Sequence, residues 1–512
     1  MIRCWRCGIY LASLVLLVGC GRPYQAARPA SVVLIVVDTL RPDFLGVYGS
    51  RSAVTPSIDG LAADGIVFEN AVSPSPITAP SHATLFTSRH PSELGVVNNA
   101  VAKLPQEVPV MAEILAGAGL ETAAVVAIAP LGRSWGFDRG FKTFEDRLRD
   151  TWILNADEVL SPTLDVLAHL DPPFFLWSHW ADPHEPYNAH DTTERSAEVF
   201  LGGKRLGQVP TSTSAVERFE IELKRGDNEL VILGDHPFRV RRLSLRRRGW
   251  IKPEIDPERP PAEHFTEYRA TITNYRRRRV QLVVQLSDFI VEREEVVERY
   301  AREVAYVDRH VGRLIQQLKS RRLYHDSLIL LTSDHGEGLG CHGYRGHVQT
   351  LYDCMVRVPL ILKPPLASGV AGGQRRQDLV GLVDVLPTLL GLLGVEPRPA
   401  MRGRDLLSSV AETPSILLET HRPQAQNTIF GLRGERHSIF FDVTSGAWEF
   451  YDLEKDPPQF VDRFDPESPK VAEWMERLRR RLREETQPLP GIDVSRELDD
   501  ETRTMLRSLG YL

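Results

Sequence analysis

Ser31-Val-Val-Leu-Ile-Val-Val-Asp38 is the stretch that decides the fold. An apolar, mostly β-branched run with no polar position to alternate against reads as a strand buried on both faces of a parallel sheet. It closes on Asp38, and in open α/β sheets ligands gather just beyond the C-terminal ends of the strands. Two further runs repeat the arrangement: Phe174 to Trp177 ahead of Asp182 and His184, and Ser327 to Leu331 ahead of Asp334 and His335. Helical segments intervene. One is expected from Pro109 to Ala118, with proline at its first position. Another runs from Val291 to Leu318, where Val297, Tyr300, Val304, Val307, Val311, Leu314 and Leu318 recur at helical spacing. The class is α/β with a mainly parallel central sheet.

Outside this frame the texture changes. Residues 191–289 read as an inserted β-rich unit, in which Arg218 to Leu223, the turn Arg225-Gly226-Asp227-Asn228 and Glu229 to Leu233 have the look of a hairpin or sandwich edge. The insert carries two arginine runs, 246–248 and 276–279, which suit either a solvated face or an anionic partner. The catalytic core is expected at 30–190 and 290–432. A small C-terminal α+β subdomain at 433–512 holds the strands HSIFFDV and WEFYDL and a charged amphipathic helix from Val471 to Arg483.

With 42% hydrophobic and 25% charged residues over 512 positions, the chain is an ordinary globular protein. A formal net charge of −6 gives no reason to expect nucleic-acid binding. At the N-terminus Arg3 and Arg6 precede an apolar run from Ile9 to Val18. That run is too short for a bilayer, which needs roughly 20 apolar residues, so residues 1–20 read as a signal peptide. The sequence Leu17-Val18-Gly19-Cys20 resembles a bacterial lipobox. The resemblance implies cleavage before Cys20, lipidation of its thiol, and a lipid anchor at the periplasmic face of the cell envelope, with the outer membrane as default. Cys341 and Cys354 then remain, and an oxidising compartment permits their pairing without requiring it.

Four separated groups carry chemistry. Asp38 ends a buried strand, where it serves equally as a ligand or as a cap for a following helix at 39–41. Thr78 lies two residues before Pro80 at an expected helix N-terminus, where amide N–H groups stabilise an anion. Its hydroxyl is a weak nucleophile until a base or a cation removes its proton. Asp182 and His184, with His179 nearby, form the third group. Asp334, His335 and Glu337, with His342 and His347 across a glycine-rich loop, form the fourth. So many imidazoles beside carboxylates point to metal or oxyanion binding.

The order DTLRPDFLGVYG, TAPSH with ATLFTSRHP, GVVNNA, DPHEPY, SDHGEGLGCHGYRGHVQTLYDCMVRVPLIL and finally WEFYDLEKDP resembles the sulfatase family of the alkaline-phosphatase superfamily. The resemblance implies a three-layer sandwich, and a divalent cation (Zn, Mn, Ca or Mg) held by Asp38, Asp334, His335 and Thr78. It makes Thr78 the nucleophile, Asn99 a contact to the transferred group, and His184 and His347 catalytic residues. Two departures matter. Formylglycine, which arises from cysteine or serine, cannot form from Thr78, and the usual arginine four residues on is His82. His347 stands where such enzymes have a lysine, and with His184 and Asp182 it is a candidate ligand for a second cation. This variant is similar to threonine-nucleophile phosphodiesterases and phosphotransferases of the superfamily. The leading expectation is therefore hydrolysis or transfer of a phosphate or phosphonate ester through a covalent Thr78 intermediate. Sulfate-ester hydrolysis is the alternative, on a cell-envelope glycan or lipid in either case. A third reading, an inactive glycan-binding lipoprotein, is weakened by a ligand set aimed at one hydroxyl.

Overall fold

A computed structural model describes residues 30–146, 148, 152–185, 187, 196–211, 216–247, 249–251, 265–274, 278–288, 293–398, 400–408, 415–422 and 427–487. The leader with its Cys20 lies outside the described residues, as do parts of both arginine runs. Among the described residues no helix is long and apolar enough to cross a membrane.

The opening strand, Val32–Val37, is buried at every position. It pairs in parallel with Phe174–Trp180 on one side and Leu328–Thr332 on the other. The full sheet has eight strands in the order Gln374–Gly381, Ile66–Val72, Arg357–Lys363, Leu328–Thr332, Val32–Val37, Phe174–Trp180, Glu121–Val125 and Thr143–Glu145. Only Arg357–Lys363 runs antiparallel to its two neighbours. Because strand side chains alternate, Val32, Leu34 and Val36 enter one core with the helices Thr78–Thr87, Met111–Gly117 and Val385–Leu393. Val33, Ile35 and Val37 enter a second core with Pro56–Ala63, Ala156–His169 and Arg293–Ser320. Helices therefore cover both faces, which makes the three-layer sandwich.

Several boundaries shift for local reasons. The expected helix at Pro109 begins at Met111, because the Glu113 carboxylate accepts from the Val110 N–H and sets the first turn there. In Arg293–Ser320 the buried stripe runs through Val296, Tyr300, Val304, Val307, Val311, Leu314 and Leu318, with Val297 only at its margin. No helix follows Asp38. Thr39 adopts φ 55° and a short 3-10 turn forms at Pro42–Phe44, so the capping role for Asp38 falls away.

The insert is a separate antiparallel sheet between Ser196 and Asp288 with its own apolar core. Of the two forms expected at Arg218 to Leu233, the direct hairpin is absent, while Val216–Leu223 lies at the edge of the sheet. Val216–Leu223 pairs with Arg278–Asp288, whereas the start of Gly226–Arg247 pairs with Phe265–Asn274. The Asn228 side chain bonds Lys224, Gly226 and Ile272, turning the chain away from a direct return. At the C-terminus the four-stranded sheet starts at Ile416–Arg422, ahead of the expected boundary at 433. One face packs on Val72 and Leu379 of the central sheet, and the other carries helix Pro469–Glu485 through Val471, Trp474 and Leu478.

That helix is also pinned at its end. Burial alone would raise the Glu485 carboxyl, but hydrogen bonds from His90 and Arg481 outweigh it and bring the pKa down from 4.5 to about 2. A carboxyl depressed by folding adds stability that is present above its unfolded pKa and lost as the pH falls through the folded one. Helix Pro469–Glu485 should therefore loosen as the pH drops from about 4.5 towards 2. Hydrogen exchange across that range should show the loss, and Glu485→Gln should remove this part of the pH dependence.

Candidate active site and cation centre

Leu328–Thr332, Val32–Val37 and Phe174–Trp180 are neighbours in the sheet, so their C-terminal ends bring Asp334 and His335, Asp38, and His179 together. All four side chains are fully buried. Asp334 Oδ1 accepts from the N–H groups of Thr39 and His335, while its Oδ2 has no hydrogen-bond partner. Neither carboxylate oxygen of Asp38 has one. The His335 Nδ1–H donates to the Gly336 carbonyl, so Nε2 carries the lone pair. That nitrogen lies 3.4 Å from Asp334 Oδ2, 3.9 Å from Asp38 Oδ1 and 3.3 Å from Thr78 Oγ1.

Thr78 opens helix Thr78–Thr87, every residue of which is buried. Pro80 sits within the first turn, where its missing N–H costs no helical bond. No side chain of the chain's own N-cap, Ile77, bonds the helix end. Asn99 does so instead, its Oδ1 accepting from the Ala79 N–H at 2.8 Å. This fixes the amide so that Nδ2, buried and without a partner, is left as a donor beside Thr78. The Ser81 hydroxyl donates to the Asp334 carbonyl at 2.6 Å, tying the helix to the acidic strand end.

The electrostatics explain what this cluster demands. Burial pushes the Asp38 carboxyl well up, and the neighbouring Asp334 and Glu337 push it further. Burial would also raise Asp334, but His335, His82 and His179 outweigh it and hold it down. Carboxylate oxygens buried without a hydrogen bond are expensive unless a cation meets them. Hence Asp38, Asp334, His335 and the Thr78 hydroxyl fit a divalent cation by the chemistry of their donors. Among the described residues two sets of three side chains each bring a ligand atom within 4.8 Å of one another: Asp38, Asp334 and His335, and His82, His179 and Asp334.

The set Asp182, His184 and His347 is not among them. Asp182 Oδ1 accepts from the Ala156 N–H at the start of helix Ala156–His169, so a structural role occupies it. His184 and His347 do meet, with ring centroids 5.0 Å apart, and His347 also lies 4.5 Å from the His335 ring. Both are pushed down to about 4 by burial. The carboxylate beside them is Glu337, 3.3 Å from His347 Nδ1 and pushed up to about 7 by burial. His342 stands apart, stacked on Tyr352 and bonded to the Pro458 carbonyl. The loop between is closed by a Cys341–Cys354 disulfide, the pairing that the spacing left open.

The model of the sulfatase domain matches residues 30–395, and that of the N-sulphoglucosamine sulphohydrolase C-terminal region matches residues 340–488. The chain belongs to the sulfatase family. It is 23% identical to the delta 4,5-hexuronate-2-O-sulfatase of Bacteroides thetaiotaomicron, over 86% of this chain and 85% of that protein. It is 26% identical to the choline-sulfatase of Rhizobium meliloti, over 84% and 80%. Among solved structures, the phosphonate monoester hydrolase of Agrobacterium radiobacter superposes with a TM-score of 0.61 at 18% identity, covering 90% of this chain and 96% of that one. Sulfatase-family proteins are hydrolases that use a divalent metal, and the buried acid and imidazole sets suit one here.

One residue of these two clusters escapes the sequence reading. His82 enters it only as the place of a usual arginine, although it follows Thr78 by one helical turn, whereas His179 is already read with Asp182 and His184 as part of a metal- or oxyanion-binding group. A glycine also matters. A Cβ at Gly336 would sit 2.2 Å from the Cys354 carbonyl oxygen, which is backbone and cannot swing aside. Gly336→Ala should cost about 1–3 kcal/mol of stability and weaken cation binding by displacing His335. Chemical denaturation and metal titration of the variant check both.

Proposed function

We propose that this sulfatase-family enzyme hydrolyses a sulfate ester of an anionic, carbohydrate-like substrate, with Thr78 as nucleophile and a divalent cation held by Asp38, Asp334 and His335. One observation carries the reading: Thr78 Oγ1 sits at a buried helix start, 3.3 Å from His335 Nε2 and beside carboxylate oxygens with no other partner. The substrate class follows the relatives, whose names include a hexuronate-2-O-sulfatase and an N-acetylglucosamine-6-O-sulfatase. These names favour sulfate over phosphorus esters, the reverse of the order that Thr78 and His347 suggest on their own.

A cation bound there supplies Lewis acidity, lowering the pKa of the Thr78 hydroxyl and offsetting charge on the transferred group. Thr78 Oγ1 attacks the sulfur in line, the bond from sulfur to the alcohol oxygen breaks, and the proton that Thr78 gives up leaves on the alcohol. The Asn99 Nδ2–H donates to an oxygen of the transferred group. A threonine ester, unlike a formylglycine hydrate, must then be cleaved by water. His184, whose Nδ1–H donates to the Glu185 carbonyl, takes that water's proton as the base. His347, steadied by Glu337, assists on the same side. The leader suits an enzyme anchored by lipid at Cys20 on the periplasmic face of the envelope.

Phosphate or phosphonate ester cleavage is the second reading, favoured by the ordinary alcohol at position 78. The mature chain should be assayed on p-nitrophenyl sulfate, p-nitrophenyl phosphate, its bis ester and a phenylphosphonate ester, each with Ca²⁺, Mg²⁺, Mn²⁺ or Zn²⁺. The expected result is cation-dependent turnover of the sulfate, lost by at least ~10³-fold in Thr78→Ala and partly kept in Thr78→Ser. Turnover of the phosphorus esters alone would install the second reading. Full activity in Thr78→Ala would remove Thr78 as nucleophile.

A further inference from the structure

We propose that the chain holds a second cation, in a site formed by His82, His179 and Asp334. It deepens the reading above and rests on it, since Asp334 also belongs to the first cation's ligand set. All three side chains are completely buried, and each offers a ligand atom within 4.8 Å of the others.

The tautomers leave the right atoms available. The His82 Nδ1–H donates to the Thr78 carbonyl at 2.9 Å, so the lone pair is on Nε2, which has no hydrogen-bond partner. Both ring nitrogens of His179 lack a hydrogen bond, although Nε2 lies 3.6 Å from Asp38 Oδ2, and Asp334 Oδ2 lacks one as well. Buried polar atoms are almost always hydrogen-bonded, so four atoms without one in three adjoining side chains call for an occupant. The ring neighbours of His82 supply no further polar contact beyond His179 at 5.0 Å: they are Trp177 at 5.7 Å and Phe137 at 6.4 Å.

The donor chemistry narrows the occupant. Two neutral imidazoles and one carboxylate suit zinc, manganese or cobalt, whereas calcium and magnesium prefer oxygen donors. Asp334 belongs to both ligand sets, with Oδ2 3.4 Å from His335 Nε2, so its carboxylate can serve two neighbouring ions. His82 belongs to the helix that Thr78 opens, one turn further along. A cation on His82 therefore braces the helix that carries the nucleophile. The position four residues after the nucleophile thus holds a ligand here, and this accounts for a histidine at 82 together with a histidine at 179.

The test is a count of bound metal, independent of turnover. The mature chain is stripped with chelator and titrated with Mn²⁺ under equilibrium dialysis, with electron paramagnetic resonance of the loaded protein. The wild type should bind two Mn²⁺ per chain and give an exchange-coupled spectrum. His82→Gln and His179→Gln should each bind one and give an isolated six-line signal, while His184→Ala and His347→Ala should still bind two. One Mn²⁺ per wild-type chain overturns the second site and leaves the first standing, and no bound Mn²⁺ overturns both. A count of two that falls with His347 instead of His82 and His179 also overturns it. Should one glutamine variant fail to fold, the other, read against His184→Ala and His347→Ala, still assigns the second ion.

Discussion

Two buried carboxylates at neighbouring strand ends govern this structure. Asp38 and Asp334 end neighbouring parallel strands, are fully buried, and keep three oxygens without a hydrogen bond. Burial first, and then repulsion from Asp334 and Glu337, drive Asp38 towards its neutral form in the protein alone. A divalent cation reverses that balance by giving both carboxylates a common partner. The buried imidazoles fit the same logic, since neutral rings are ligands and do not add a competing charge.

The rest of the fold keeps this pocket in register. Helix Thr78–Thr87 is seated by Phe86, whose ring packs 4.6 Å from Trp177, and by Ser81 bonding the Asp334 carbonyl. Arg41 donates to the carbonyls of Glu337 and Gly338, and Tyr300 donates to the Thr39 carbonyl, so both loops leaving the strand ends are held. The disulfide closes the Glu337 to His347 loop against the segment that Gly336 contacts. Rigid support of this kind is what positions a nucleophile within reach of its ligands.

Much of the frame was legible because its signals are local. The strand Val32–Val37 and the stripe of Arg293–Ser320 follow from apolar spacing, and Asp38, Asp334 and His335 follow from position at strand ends. Pairings beyond the neighbouring segment were not legible. The hairpin at Arg218 to Leu233 failed because Arg278–Asp288 inserts between the two strands, a non-local choice that turn residues do not encode. The surroundings of Asp182 are non-local too, since its Oδ1 accepts from the N–H of Ala156, 26 residues away. The metal-ligand reading of His342 failed because its stacking partner Tyr352 lies across a loop.

A cation, and not protonation, would resolve the burial of Asp38 and Asp334. Thermal unfolding of the wild type with and without chelator measures this directly, because a ligand that binds only the folded state raises its melting temperature. Tm should fall clearly on chelation and recover on adding back Mn²⁺ or Zn²⁺, with the response much reduced in Asp38→Asn. An unchanged Tm between the stripped and the cation-saturated wild type would mean that no cation meets these carboxylates.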